Sequence, residues 1–457
     1  MNNKIMLINS PKFEYDAADP KKGITELGID NSYPVGLLLI SSAIKQYTPI
    51  TVEYSDANFY HKDIGSIVED VKKCNPKYVG MNVTFPNMDL VCRITDIIKS
   101  DGRRIIIGGP AATLAPQQIL KTSSADYVMM GEGEETIVEL LNKLELNECV
   151  DDVKGIAYKN SSEVQITPKR DPLTIDSIPL LDVNNIPQEI RNTTQEVTLF
   201  TSRGCDSYCS FCSTPILWGF GKKNIRNFSN ERIIKELDHY KASGFNFKAV
   251  HFIDDNFTND WDRVEEFMKL WNTTYGKEGI SWRCLARIRA LDSYEKLERM
   301  ANSGCDQLSV GVESASQYTL NKIGKGLRIE EVDRFLENCK DLPIRKKGFF
   351  MIGFPHETET DVMETINYAA KSKFDDVAVN IVMAYPGTRI FKETSHDKSE
   401  EVPEFMNRVA EKDGSLASSK MSKYSSMPKK SLTPYVTIER LMELKEQAYD
   451  MFYGGKK

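Results

Sequence analysis

The sequence predicts an α/β protein in two parts: an N-terminal doubly wound parallel sheet, then a partial six-unit α/β barrel with a helical C-terminal extension. Three observations predict it. Over residues 1–150 five short apolar runs alternate with helical patterns, and from residue 196 a second series of six strand-helix units begins. Between the two, residues 151–195 weaken into a proline-punctuated stretch. At 457 residues, 40% hydrophobic and 27% charged, the chain is long enough for more than one core and has the composition of a globular protein.

The first five strands are expected at Ile5-Met6-Leu7-Ile8, Thr51-Val52-Glu53-Tyr54, Tyr78-Val79-Gly80-Met81, Arg104-Ile105-Ile106-Ile107 and Tyr127-Val128-Met129. Ligands of such sheets bind beyond the carboxyl ends of the strands. Three of these ends carry suitable residues: Asn82-Val83-Thr84, Gly108-Gly109-Pro110 and Gly131-Glu132-Gly133-Glu134. Their glycines let a backbone approach a ligand, although tight strand-to-helix turns need glycine equally. None matches the dinucleotide fingerprint GxGxxG, so no nicotinamide site is predicted. Residues 151–195 read as a linker with a hairpin (Gly155-Ile156-Ala157-Tyr158, then Val164-Gln165-Ile166). The barrel, 196–395, takes its strands at Val197–Ser202, Ala249–Ile253, Ser281–Leu285, Gln307–Gly311, Gly348–Ile352 and Asp376–Val382. The extension, 396–457, holds a polar stretch over 398–434 and a closing amphipathic helix, Ile438 to Phe452.

Charge narrows the partners. Lys+Arg of 59 against Asp+Glu of 66 gives a net charge of -7, so no global positive field points to nucleic acid. The most apolar window, Val35 to Ile44, is far short of the roughly 20 residues of a membrane span, and no membrane span is predicted. The start lacks a signal-peptide pattern, and nine scattered cysteines suit a reducing compartment, so the expectation is a cytoplasmic protein.

Three of those cysteines form the sharpest motif. Arg203-Gly204-Cys205-Asp206-Ser207-Tyr208-Cys209-Ser210-Phe211-Cys212 is a CxxxCxxC loop directly after the first barrel strand. Structural zinc closes with four protein ligands, usually as two separated pairs, and no fourth Cys or His has matching spacing. Three soft thiolates suit a [4Fe-4S] cluster with one iron left open to a small molecule. Cys284, Cys305 and Cys339 fall in barrel strand or helix patterns and read as buried, hydrophobic thiols. His356 reads as a hydrogen-bonded structural histidine.

The cysteine loop, with an aromatic before its last Cys, resembles the radical S-adenosylmethionine (SAM) enzymes. So do Phe252-Ile253-Asp254-Asp255-Asn256, Gly311-Val312-Glu313-Ser314 and Met351-Ile352-Gly353-Phe354-Pro355 with Glu357-Thr358, in that order. The resemblance implies a TIM-like barrel in which Cys205, Cys209 and Cys212 hold the cluster and SAM chelates its open iron. It implies that Phe211 flanks the adenine and that Asp254 or Asp255, with Asn256, meets the SAM amino group. It further implies that Glu313 bonds the ribose or amino group, with Gly353 in the same site. Arg287, at the end of the third barrel strand, would pair with the SAM carboxylate or else form a rim ion pair. Trp218, Phe220, Gly221 and Tyr385 are candidates for a substrate or cofactor wall.

The N-terminal sheet is similar to the Rossmann-like cobalamin-binding domain that precedes the barrel in a branch of these enzymes. Tyr33-Pro34-Val35-Gly36-Leu37 and the two glycine segments carry that similarity. It assigns Asn82, Val83, Thr84, Gly108, Gly109, Gly131, Glu132 and Gly133 to the cobalamin site. The DxHxxG motif, whose His coordinates cobalt in many cobalamin proteins, is missing: Phe59 precedes His61, and Gly65 comes one position late. The implied activity is reductive cleavage of SAM to a 5'-deoxyadenosyl radical and methyl transfer from methylcobalamin to a carbon of a small-molecule or carrier-bound substrate. Flavodoxin or ferredoxin would donate the electrons. The alternatives are a cobalamin-dependent cyclisation or rearrangement without methyl transfer, and a non-catalytic iron-sulfur or corrinoid sensor.

Overall fold

A computed structural model describes residues 2–12, 33–100, 102–160, 163–219, 221–394 and 430–454. Phe220 and most of the polar 398–434 stretch lie outside the described residues. The chain divides into two compact units, the main body of one ending at Thr193 and that of the other starting at Thr194.

The first unit runs β1 (Asn2–Asn9), α1 (Val35–Tyr47), β2 (Thr51–Asp56), α2 (Ile64–Cys74), β3 (Pro76–Asn82), α3 (Met88–Ile98), β4 (Arg104–Gly108), α4 (Pro110–Leu114), α5 (Pro116–Thr122), β5 (Tyr127–Met129) and α6 (Glu134–Leu146). Then come β6 (Ile156–Asn160), β7 (Glu163–Ile166) and α7 (Gln188–Thr193). Its sheet has the order β2-β1-β3-β4-β5-β6-β7, with the first five strands parallel. All five N-terminal strands fall where the apolar runs predict them. Ile5, Leu7, Tyr78 and Ile106 pack against Leu37 and Ile44 of α1 and Ile137, Leu140 and Leu141 of α6. Asp63 caps α2 by accepting from Ser66 N at 2.7 Å.

The hairpin that the sequence places in a linker belongs instead to this sheet. β6 pairs antiparallel with β5, Val128 opposite Ala157, because the free edge of β5 offers unpaired backbone groups and Ile156 and Ala157 are apolar enough to be buried there. Asp182 ties the following stretch to α1 through Ser41 Oγ and Lys45 Nζ, at 2.5 and 2.6 Å.

The second unit runs β8 (Glu196–Leu199), β9 (Ser202–Arg203), α8 (Thr214–Trp218), β10 (Arg226–Asn227), α9 (Asn230–Ala242), β11 (Ala249–Phe252), α10 (Trp261–Thr273), β12 (Ser281–Ala286), α11 (Tyr294–Asn302) and β13 (Cys305–Glu313). It continues with α12 (Gln317–Lys322), α13 (Ile329–Asn338), β14 (Arg345–Ile352), α14 (Glu359–Lys371), β15 (Asp376–Ile381), α15 (Arg389–Thr394) and α16 (Ile438–Gly454). β8-β11-β12-β13-β14-β15 form one parallel sheet whose edges are β8 and β15, a partial (β/α)6 barrel. Alternate residues, Val197, Val250, Phe252, Trp282 and Val310 among them, are buried. Phe252 meets Phe267 and Trp271 of α10 at ring-centroid distances of 5.3 and 6.3 Å. Their neighbours on the opposite face, Thr198, His251, Arg283 and Lys347, remain partly open. Cys284, Cys305 and Cys339 are buried, as their patterns predict. Among the described residues no helix is long and apolar enough to cross a membrane.

Candidate active site

The cysteine loop follows a tight turn at the end of β8, and the turn rests on a buried knot. Asp254, fully buried at the end of β11, accepts from Thr201 N at 2.6 Å, Ser202 N at 2.7 Å and the Thr201 hydroxyl. Burial pushes its carboxyl up, and the neighbouring Arg263 guanidinium opposes the rise. Arg263 donates to Thr201 O and Phe257 O, both at 3.2 Å, and lies over the Phe257 ring. The expectation that Asp254 meets SAM is therefore corrected: its oxygens are occupied beneath the loop. Asn256 is likewise buried and accepts from Thr258 Oγ1 at 2.9 Å.

Asp255 points the other way. It is exposed, and it accepts from Thr214 Oγ1 at 2.9 Å and from Gly204 N at 3.3 Å, which places it beside the start of the cysteine loop. Crowding by these loops raises its carboxyl pKa. Gly204 takes φ +101° and packs so tightly that a Cβ would lie 2.8 Å from Asn224 O. Arg203 stands over Trp218 at 5.3 Å, and Gly387, in the turn after Tyr385, packs on Ile216 of the same short helix. The two wall segments thus meet within the second unit.

Cys205, Cys209 and Cys212 are all partly exposed and unbridged. Cys212 N donates to Cys209 O at 3.1 Å, curling the loop so that its thiols interact electrostatically. Burial pushes the Cys209 thiol up to about 11, against the pull of the Lys325 ammonium. Iron removes such a proton outright. Among the described residues no three His, Cys, Asp or Glu side chains converge on one metal ion. A cubane asks for less convergence, since each thiolate binds its own iron, so three unpaired thiols opening from one curled loop fit the cluster.

Three further strand ends supply the surroundings. After β12, Arg287 pairs with Asp206 of the cysteine loop at 3.2 Å and donates to Lys325 O at 2.9 Å. It forms the rim ion pair, one of the two expected readings, and braces the loop. At the end of β13, Glu313 adopts φ +71°, an unusual conformation for a residue with a side chain, and pairs with Lys325 at 2.6 Å. Glu313 and the Cys209 thiol outweigh the burial of Lys325 and raise its pKa, keeping it charged. A Cβ on Gly311 would lie 2.3 Å from Glu313 Oε1 and 2.6 Å from Lys325 Nζ, so the glycine makes room for the pair. After β14, Gly353 takes φ +88° in a turn held by Glu357, whose Oε2 accepts from Gly353 N at 2.8 Å and Phe354 N at 3.0 Å. Phe354 meets Phe211 at a centroid distance of 5.9 Å. His356 is a bonded structural histidine, 3.0 Å from Thr319 Oγ1.

Sequence reasoning missed Lys325, Asp206, Arg263 and Thr201. Only Asp206, inside the motif, carried a local signal; the others meet their partners across 12 residues (Lys325 to Glu313) and 62 residues (Arg263 to Thr201).

In the first unit, several predicted cobalamin contacts have structural duties. Glu132 is buried and accepts from Leu173 N at 2.8 Å; Thr84 N donates to Asn87 Oδ1; Val83 is buried and its backbone bonds Gly108 and Ala111. Asn82 Oδ1 accepts from Ser10 N at 2.8 Å. A Cβ on Gly109, at φ +114°, would strike Val83 O at 2.6 Å, and one on Gly133 would strike Ile40 at 2.8 Å. Gly108 has Met129 Cε at 3.2 Å from the Cβ position, and Gly131 alone of the four has open space there. The strand ends also assemble a polar floor from Asn9, Asp56 and Asn58, none of them expected. Ser10 Oγ is buried there without a partner. An exposed glycine backbone, a polar floor and an unsatisfied hydroxyl at the carboxyl ends of the strands fit a corrinoid.

Comparison with known proteins identifies both domains. Residues 199–369 match the radical SAM superfamily and residues 30–141 the B12 binding domain. The chain combines a radical SAM domain with a preceding B12-binding domain, and its cofactors are those of this pairing: a [4Fe-4S] cluster, SAM and cobalamin. It is accordingly a radical SAM enzyme of the cobalamin-binding-domain branch. An uncharacterised methyltransferase of Pyrococcus horikoshii is 28% identical over 92% of this chain and 87% of its own length. Cytidylyl-2-hydroxyethylphosphonate methyltransferase of Streptomyces wedmorensis is 25% identical over 84% of this chain and 82% of its own. The fold matches that of the radical SAM methyltransferase TsrM from Kitasatospora setae (TM-score 0.69, 15% identity, covering 86% of this chain and 75% of TsrM). It also matches the cobalamin-dependent radical enzyme OxsB (TM-score 0.65, 21% identity, covering 98% and 61%).

Proposed function

We propose that the protein is a cobalamin-dependent methyltransferase that alkylates a carbon of a small-molecule or carrier-bound biosynthetic substrate. The observation that carries this reading is the gathering of the cysteine loop, Asp255, the Glu313–Lys325 pair and the Gly353-Phe354 turn at the carboxyl ends of one parallel sheet. Named methyltransferases among the relatives support methyl transfer. When bound, the cluster supplies the electron for reductive cleavage of SAM, and cobalamin supplies the methyl group.

The chain's own residues bind and orient. Cys205, Cys209 and Cys212 hold the iron; Asp255 offers a carboxylate to the SAM ammonium. Phe211, backed by Phe354, gives the adenine an apolar face, and Glu313 offers an acceptor to the ribose or amino group. In the first unit, Gly108, Gly109 and Gly131 allow close backbone approach to the corrinoid. Trp218 and Tyr385 wall the substrate side. Flavodoxin or ferredoxin is the proposed electron source, and the cytoplasm the proposed compartment.

Anaerobic reconstitution with iron, sulfide and hydroxocobalamin, followed by reduction with methyl-labelled SAM, tests the reading. The expected products are 5'-deoxyadenosine, S-adenosylhomocysteine and labelled methylcobalamin, with none from Cys209→Ala. A second reading, rearrangement without methyl transfer, draws on the 25% identity to 4'-phospho-dehydrooxetanocin synthase of Priestia megaterium over 68% of this chain and 45% of that enzyme. Under it, 5'-deoxyadenosine forms while the bound corrinoid stays unmethylated.

A further inference from the structure

The outer side of the cysteine loop carries an exposed aromatic ring between two basic turns, and neither cofactor accounts for it. Tyr208, directly before Cys209, is 54% exposed. Its hydroxyl lies 2.8 Å from where a Cβ on Gly221 would stand, and its carbonyl oxygen lies 3.4 Å from the corresponding point on Gly324. The tyrosine therefore bridges the turn after α8 and the turn after α12. Lys222 and Lys223 follow the first of these glycines and Lys322 shortly precedes the second; all three are exposed, and among the described residues no carboxylate pairs with them. Arg389, also exposed, donates from Nη2 to Lys322 O at 2.9 Å. Backbone bonds from Ser210 N to Ile323 O at 2.8 Å and from Ile390 N to Ser210 O at 3.0 Å stitch both segments to the cysteine loop. Lys322 stands 5.6 Å from the ring centre of Tyr318, a second exposed tyrosine. Across residues 206–210, 221–224, 322–326 and 389–393 the only carboxylates are Asp206 and Glu393, held by Arg287 at 3.2 Å and by Arg389 at 3.6 Å. A chain of net charge -7 thus turns a positive face outward at its cysteine loop.

We propose that this face docks the electron donor, and that the donor is an acidic protein that gives up one electron at low potential. The inference rests on the reading that Cys205, Cys209 and Cys212 hold a reducible cluster. The step is a single electron: the donor is oxidised by one, the cluster is reduced by one, and no bond forms or breaks. Electron transfer falls steeply with distance, so the donor has to sit on a face that the cysteine loop itself forms, and Tyr208 offers one next to a cluster ligand. An acidic donor is repelled by an acidic chain everywhere except where the local charge is reversed. Such a patch steers encounters and raises association rates by roughly ten- to a thousandfold. The two exposed tyrosines supply the aromatic contact area that protein interfaces favour, and the lysines and Arg389 supply the charged rim around it.

The test is the rate at which a purified acidic flavodoxin, in its hydroquinone form, reduces the reconstituted enzyme, read by electron paramagnetic resonance of the reduced cluster in rapidly frozen samples. Photoreduced 5-deazariboflavin, a small reductant that needs no docking face, is run in parallel. The variant is Lys222→Glu with Lys322→Glu. Its control is Lys340→Glu with Lys373→Glu, the same change of charge at exposed residues that precede the amino ends of β14 and β15, at the opposite end of the sheet from the cysteine loop. At low ionic strength flavodoxin should reduce the variant at least tenfold more slowly than wild type and the control at close to the wild-type rate, while deazariboflavin reduces all three alike. Added salt should slow the wild type and narrow the gap. A variant reduced as fast as the control would overturn the proposal. So would a variant slowed equally with both reductants, because the cluster and not the docking would then have changed, or a wild type that deazariboflavin reduces and flavodoxin does not at any salt concentration. Wild-type protein that cannot hold a reducible cluster would overturn the functional reading itself, and this inference with it.

Discussion

Glu357 makes the barrel unit's stability depend on pH, in a direction unusual for a carboxylate. It is fully buried and accepts from Gly353 N and Phe354 N through one oxygen, and among the described residues no cation forms an ion pair with it. Burial raises its pKa from 4.5 to about 7; the two backbone donors and Thr319 oppose the rise, and Asp361 adds to it. Between these two values the folded chain holds a proton that the unfolded chain has lost, so stability falls as pH rises from about 4.5 to 7 and then levels off. The gap corresponds to roughly 3 kcal/mol at pH 8 and less than about 1 kcal/mol at pH 5. Glu357→Gln keeps the accepting oxygen without the charge. Its stability relative to wild type should climb by that amount across the range. His356 and Asp361 titrate in both proteins and cancel in the comparison. All four tryptophans lie in the second unit, so urea unfolding followed by tryptophan fluorescence reports on it directly. Parallel pH profiles for the two proteins would refute the reasoning.

Other substitutions test the remaining contacts. Asp254→Ala leaves Thr201 N and Ser202 N unsatisfied and the buried Arg263 uncompensated; it should cost about 3 to 5 kcal/mol in denaturant unfolding, and Asp254→Asn less. Gly311→Ala forces a methyl into the Glu313–Lys325 pair, and calorimetric SAM affinity should fall at least tenfold while circular dichroism stays native. In the first unit, Gly109 and Gly131 both take positive φ, so Ala strains the backbone at each, but only Gly109→Ala also meets Val83 O at 2.6 Å, and corrinoid retention after gel filtration should drop further there. Equal retention in the two would remove the strand-end contact from the argument.

Much of the fold and the centre of the site could be read along the chain because they depend on near neighbours. Short apolar runs separated by helical patterns placed the five parallel strands of the first sheet and the six of the second, since alternation and amphipathicity are local properties. The CxxxCxxC spacing revealed a three-thiol site because its ligands share one loop, and Asp255 and Gly353 followed from motifs at strand ends. Local pattern could not separate Asp254 from Asp255, because adjacent residues at a strand end face opposite ways. Only the turn above them shows that one is sealed under the loop and the other open. Nor could it place β6 and β7, whose hairpin reads as a linker until the free edge of β5 is there to pair with it. Arg287 paired with Asp206, Lys325 beside Cys209 and Arg263 beneath Thr201 are decided by tertiary structure alone. A buried charge finds its partner by proximity in space, across separations that leave no periodic or spacing signal in the chain.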